Sequence, residues 1–352
     1  MKSLCLILIC FVASQGRSAG DASGLKISAA VDIIGSVNVN TKDSARDRID
    51  VREAEILLTG PIDHVFDGLL SFAAHSEKGI ARAELHEAFI GSTKLIPRSQ
   101  FKVGQYFLGV GRLNRFHRHE WPFISAPKVQ EKFFGAEGAL DTGLEYTVLV
   151  PTSFFLAATL GLSNGYTYGH SHNEGERPKV PTHYGRLASY QALPLGGGAE
   201  LGLNFLQRTA ADSTRMTLYG VDFAAKWREG PALNVLLQSE LWVRVLEPKA
   251  TRAEKALGFY LFPQKALTEQ TYLGVLWDYY TVLELKDVTG KHLQNNEQKF
   301  LPTLTYKASE FSTLRLAYSL AYLAQDGHKT KNEQKIEAQA TFIIGAHPAH
   351  AF

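Results

Sequence analysis

The chain has 352 residues, with 37 basic and 35 acidic side chains, a formal charge of +2, 45% apolar residues and two cysteines. So slight a positive excess makes no electrostatic footprint for nucleic acid or an anionic membrane surface. Cys5 and Cys10 both fall within the first twenty residues, so the rest of the chain can form neither a disulfide nor a thiolate metal site.

Those twenty residues, MKSLCLILICFVASQGRSAG, carry Lys2, an apolar stretch from Leu4 to Ala13 and small residues at Ser18 and Ala19. That layout predicts a secretory signal peptide over 1–20. Removing Lys2 and Arg17 with it leaves 35 side chains of each sign. Residues 21–352 are then expected to form one exported domain. Elsewhere no apolar run reaches the ~18 residues that a membrane-spanning helix needs. The apolar residues come instead in short alternating pieces.

Taken in chain order, period-2 alternation predicts strands at 25–38, 49–59, 64–74, 80–91, 100–109, 141–150, 153–163 and 182–192. It continues at 199–207, 215–228, 232–245, 256–262, 270–283, 298–308, 312–323 and 333–345. Each strand has two different faces. In the last, Ile336, Ala338, Ala340, Phe342 and Ile344 oppose Lys335, Glu337, Gln339 and Thr341; in the one before, Leu314, Leu316, Tyr318 and Leu320 oppose Arg315, Ala317 and Ser319. A soluble sandwich shares this alternation, but the connections separate the two folds. Short turns follow the even strands, such as GPID at 60–63, VPTS at 150–153, REGP at 228–231, FPQKALTE at 262–269 and SEFS at 309–312. Longer polar links mostly follow the odd ones, as at 163–181, 246–255, 286–298 and 325–334. Short turns on one rim and long loops on the other predict an all-β, transmembrane, antiparallel up-and-down β-barrel of about sixteen strands, with fourteen or eighteen as alternatives.

The chain resembles the bacterial outer-membrane porins, in the neighbourhood of the phosphate-selective and general diffusion porins. More closely, GRLNRFHRHEWPF at 111–123 and the ending GAHPAHAF are similar to a family in which some members are labelled zinc-regulated outer-membrane receptors. The resemblance implies a Gram-negative outer-membrane location and a passive channel for small hydrophilic solutes or ions. It implies contact with outer-membrane lipid, a homotrimeric assembly as one option, no nucleic-acid partner and no cofactor. Terminal Phe352, behind an alternating strand, resembles the signal by which such proteins reach the barrel-assembly machinery.

The longest link, 112–140, follows the fifth strand, where porins narrow, and the resemblance makes it the constriction loop. Its pore-facing candidates are Arg112, Arg115, Arg118, Glu120, Lys128, Glu131 and Lys132, and Trp121, Phe123, Phe133 and Phe134 are expected to anchor it. Charges of both signs on the loop argue against steep ion selectivity. The lumenal wall is expected to carry Glu53, Glu55, Glu84, Asp222, Lys226, Glu240, Arg244, Lys299, Lys307 and Arg315. His117 and His119, with His170 and His172 in the next outer loop, have the residue type of a first-row metal site. They keep open a second function, a zinc-linked or ligand-specific receptor. A third, a barrel enzyme, needs a nucleophile or paired acids beside a histidine. Ser71 and His75 are too ordinary a pair to argue for it.

Overall fold

The computed structural model describes residues 24–40, 48–77, 80–135, 137–168, 178–230, 232–249, 253–283, 290, 295–325 and 331–345. The expected signal peptide at 1–20, His170, His172 and Phe352 lie outside the described residues. Sixteen strands alternate with the connections: β1 (Lys26–Asn38), β2 (Arg48–Pro61), β3 (Asp67–Glu77), β4 (Ile80–Ser92), β5 (Ser99–Phe107), β6 (Leu140–Leu149), β7 (Phe155–Ser163), β8 (Thr182–Leu193), β9 (Gly197–Thr209), β10 (Arg215–Glu229), β11 (Ala232–Glu247), β12 (Glu254–Ala266), β13 (Thr271–Leu283), β14 (Asn295–Ser309), β15 (Ser312–Gln325) and β16 (Lys331–Gly345). Each pairs antiparallel with the next, and β1 closes on β16 with Val31 opposite Phe342. Closure removes the sheet edges, which is what lets strands stand in lipid.

The alternating faces fall as the period-2 pattern requires. Leu70, Phe72, Leu160, Leu203, Leu241, Leu304, Leu316 and Ile344 point outward and are 43–66% exposed. Their inward neighbours Ser71, Glu240, Thr303, Thr305 and Arg315 are buried. An apolar exterior around a polar-lined interior inverts a soluble protein and suits a lipid surround.

Three strands, β3, β12 and β14, differ from their sequence-based bounds by three residues or more at an end, and β3 and β12 do so for a local reason. β3 starts at Asp67 rather than 64, because Asp63 Oδ1 accepts the backbone N–H groups of Val65 (2.7 Å) and Phe66 (2.8 Å) and holds 62–66 as a turn. β12 runs through Pro263 to Ala266 instead of turning at 262. Its pairing with β13 skips from Leu261 opposite Trp277 to Gln264 opposite Gly274, since proline has no N–H to give, while Pro263 keeps its place opposite Leu237 of β11. Among the odd-strand links, 78–79 and 210–214 are short.

The larger correction concerns the interior. Alternation suggests a lumen lined throughout by polar groups, yet Leu206, Leu218, Leu236, Trp242, Tyr260, Phe262, Leu276 and Leu301 point inward and are at most 5% exposed. They form one apolar cluster with side chains of the 108–139 segment. The hydrophobic core of this protein therefore lies inside the barrel, between wall and loop.

Candidate functional site

The segment between β5 and β6 folds into the lumen as two 3-10 turns, Leu113–Arg115 and Arg118–Glu120, followed by a short helix α1 (Lys128–Phe134). Irregular backbone inside a barrel must find partners for its polar groups, and the wall supplies them. Gly109 N donates to Glu145 Oε2 (2.9 Å), Gly111 N to Asn204 Oδ1 (2.8 Å), Leu113 N to Glu240 Oε1 (2.7 Å) and Lys128 N to both oxygens of Asp278 (2.9 and 2.8 Å). In return, Arg52 Nη1 donates to Ile124 O (2.6 Å), Lys299 Nζ to Ala126 O (2.9 Å) and Arg244 Nη1 to Lys132 O (3.0 Å). These contacts reach strands around the whole ring, so the loop crosses the lumen. Gly111 takes φ +64° with Glu240 and Trp242 against it, and a side chain there would collide with both.

The four expected anchors do pack. Phe123 lies 5.6 Å from Tyr260 and 5.3 Å from Phe262, Phe134 is 4.8 Å from Trp242 and Phe133 is 6.0 Å from Tyr280, all edge-on. Trp121 Nε1 donates to the carbonyls of Leu113 and Phe116 at 3.2 Å. Edge-to-face aromatic pairs add roughly 0.5–1.5 kcal/mol each beyond area burial.

The loop charges meet partners on the wall or on the loop itself. Arg112 Nε donates to Gln238 (3.3 Å), Arg115 to Glu200 (3.1 Å), Lys132 pairs with Glu297 (3.2 Å) and Lys128 with Glu131 (2.8 Å), while Glu120 accepts from the His117 backbone (3.0 Å). Arg118 is half-buried, and desolvation and the Arg52 guanidinium lower its pKa to about 10. Of the expected wall residues, Glu84 lies opposite inward Ala73, and Asp222, with 1% exposed, is clamped by Arg186 at 2.6 Å.

One cavity of about 290 Å³ opens between the loop and the short-turn ends of β10, β11 and β14. Arg112, Lys226, Arg228, Lys307 and Arg315 line it, with Glu120 as the one acidic side chain. Balanced as the loop is in sequence, this space is strongly cationic.

A second constellation lies where the loop meets β2–β4. The register slips between β1 and β2, with Asp32 opposite Glu53 and Ile33 opposite Val51, and between β3 and β4, with Ser71 opposite Glu87 and Phe72 opposite Leu85. Arg52 and His86 are thus extra residues, and such bulges re-aim side chains. Arg52 and Glu53, and likewise His86 and Glu87, all point inward. His117 Nε2 lies 3.0 Å from Glu87 and its Nδ1 3.2 Å from Glu55, while His119 Nδ1 lies 3.4 Å from Glu53. Burial opposes a charge on His117, but the bond to Glu87 and the charges of Glu55, Glu87 and Glu120 outweigh it and raise its pKa to about 10. His75 Nε2 lies 2.8 Å from His86 Nε2, and its Nδ1 is 3.2 Å from Glu137. The wall thus supplies His75, His86 and Glu87, which strand alternation alone does not single out as partners for His117. Ser71 donates to Glu55 rather than to a histidine.

No family model matches the chain. It is 30% identical over 331 residues to an uncharacterized protein of Aquifex aeolicus, covering 85% of this chain and 69% of that protein. Among solved structures it is similar to an anion-selective porin from Comamonas acidovorans (TM-score 0.62, 10% identity, 92% of this chain and 100% of that one). It is also similar to the outer-membrane channel DcaP of Acinetobacter baumannii (0.61, 8%, 91% and 96%) and to OprB of Pseudomonas putida (0.61, 11%, 91% and 94%). Identities this low make the likeness to the three solved structures one of fold. The chain belongs to one family with the Aquifex protein, and its fold is that of the porin-like β-barrels.

Proposed function

We propose that the protein is an outer-membrane channel for passive diffusion of small hydrophilic solutes, in which the inward segment 112–140 is the constriction and small anions are favoured. The observation that carries this reading is the loop itself, tied across the lumen and bordered by a cavity with five cationic side chains and one carboxylate. Cations held along a narrow, partly desolvated path attract anions and repel cations, and no chemical step is involved. The apolar exterior supports an outer-membrane location.

The test is single-channel conductance in planar bilayers. Replacing 116–134 with a short glycine linker is expected to raise conductance in barrels that still migrate as folded, heat-modifiable protein. Unaltered conductance in correctly inserted deletion channels would remove the loop from the role of constriction.

A further inference from the structure

Where the loop meets β2–β4, four potential ligand atoms from Glu53, Glu55, His86 and His117 lie within 4.8 Å of one another. These residues are only 3%, 3%, 2% and 6% exposed. Among the described residues, neither Glu53 nor Glu55 makes an ion pair with a lysine or arginine; the nitrogen groups within ion-pair reach of them are the imidazole rings of His117 and His119. Two carboxylates removed from water are costly unless a cation compensates them. Two imidazoles with two carboxylates form a four-donor set suited to a divalent first-row ion of the zinc type, where an all-oxygen set would suit calcium or magnesium.

The surroundings are those of a ligand set held in place. His117 has Nδ1 toward Glu55 and Nε2 toward Glu87 at 3.0 Å, the outer carboxylate that orients a metal-bound imidazole. His86 is held through Nε2 by His75 at 2.8 Å, which in turn meets Glu137 at 3.2 Å. Ser71 donates to Glu55. The bulge in β4 is what brings His86 and Glu87 inside together.

We propose that Glu53, Glu55, His86 and His117 bind one divalent first-row cation and so fasten the inward loop to the wall of β2–β4. Three ligands belong to the barrel and one to the loop, so an occupied site is a crosslink between them. The site stands on the fold and does not depend on the channel reading.

The experiment uses the folded barrel in detergent, stripped with a chelator and titrated with Co²⁺ for its absorption spectrum and with Zn²⁺ by calorimetry, with Mg²⁺ as the control. One Co²⁺ per chain is expected, displaced by Zn²⁺ and not by Mg²⁺. His117→Ala and Glu55→Gln should each weaken binding at least tenfold, while His183→Ala on β8 leaves it unchanged. The folded fraction of each variant is isolated by its heat-modifiable migration; if His117→Ala does not fold, Glu55→Gln carries the same test. Absence of stoichiometric binding in the unmutated barrel overturns the proposal. So does binding that survives both substitutions at full affinity, because the ion then lies elsewhere. Conductance plays no part in this readout, so a failed channel assay and a failed metal site are told apart.

Discussion

Leu316 and Ala317 are consecutive residues of β15 with opposite surroundings: Leu316 is 54% exposed on the outer face, and Ala317 is 3% exposed among the apolar side chains of the lumen. Alternation alone makes Ala317 a harmless place for a charge. Packing makes it a costly one, since an arginine there must enter the cluster that contains Leu301 and Tyr260. A fair lumenal control is Thr159 of β7, half-buried, opposite Arg186 and bonded to Thr147 Oγ1 at 2.9 Å. Leu316→Arg is expected to cost roughly 2–4 kcal/mol as a charge on the lipid face, and Thr159→Arg about 0.5 kcal/mol. Urea unfolding of the two variants in lipid vesicles checks this. Equal losses would mean that the outer face does not meet lipid.

At the scale of elements, the inward loop is held by two kinds of contact that fail differently. Wall carboxylates take its backbone N–H groups, and its aromatic residues fill the space between facing strands. Asp278 illustrates the first: it is fully buried, accepts twice from Lys128 N and lies 3.8 Å from Lys299 Nζ. Phe123 illustrates the second, fully buried between Tyr260 and Phe262. Phe123→Ala leaves a cavity in a space that cannot collapse, because the ladder fixes the wall. A loss of ~3–5 kcal/mol is expected. Its mark should be a lower melting temperature together with noisier, larger single-channel currents; a quiet channel of unchanged conductance would show that this anchor does not hold the loop.

For the whole molecule, the loop divides the charge it crosses. On the β2–β4 side lie buried carboxylates and imidazoles, and toward the short-turn rim lie Lys226, Arg228, Lys307 and Arg315. Lys226→Glu combined with Lys307→Glu changes four units of charge in the cationic cavity and is expected to move the reversal potential in a KCl gradient toward cation preference. No movement would place the selective step elsewhere. Assembly is tested separately: Phe352 lies outside the described residues, and we propose for it a role in delivery of the chain. Deleting it should reduce the amount of folded barrel in the membrane and leave the conductance of inserted channels as it was, measured by heat-modifiable migration and by bilayer recording.

The barrel was legible in the chain because a strand with lipid on one side and lumen on the other writes its period of two directly into the order of residues. Link lengths then separate the two rims. The expected strands at 25–38, 215–228 and 333–345 differ from β1, β10 and β16 by no more than two residues at either end. The loop at 112–140 and its aromatic anchors are equally local features of composition and length. Nothing local, however, says that Leu206, Leu276 and Phe262 face inward to meet a loop more than fifty residues away. Glu240 reads as solvated wall until the fold brings the backbone N–H of Leu113 to it. The acid–imidazole cluster was the hardest to foresee, because bulges in β2 and β4 break the alternation there, and the one in β4 turns His86 and Glu87 to the same side. Periodicity records which face meets lipid. What a lumenal side chain touches depends on segments distant in sequence, and only the closed tertiary structure brings them together.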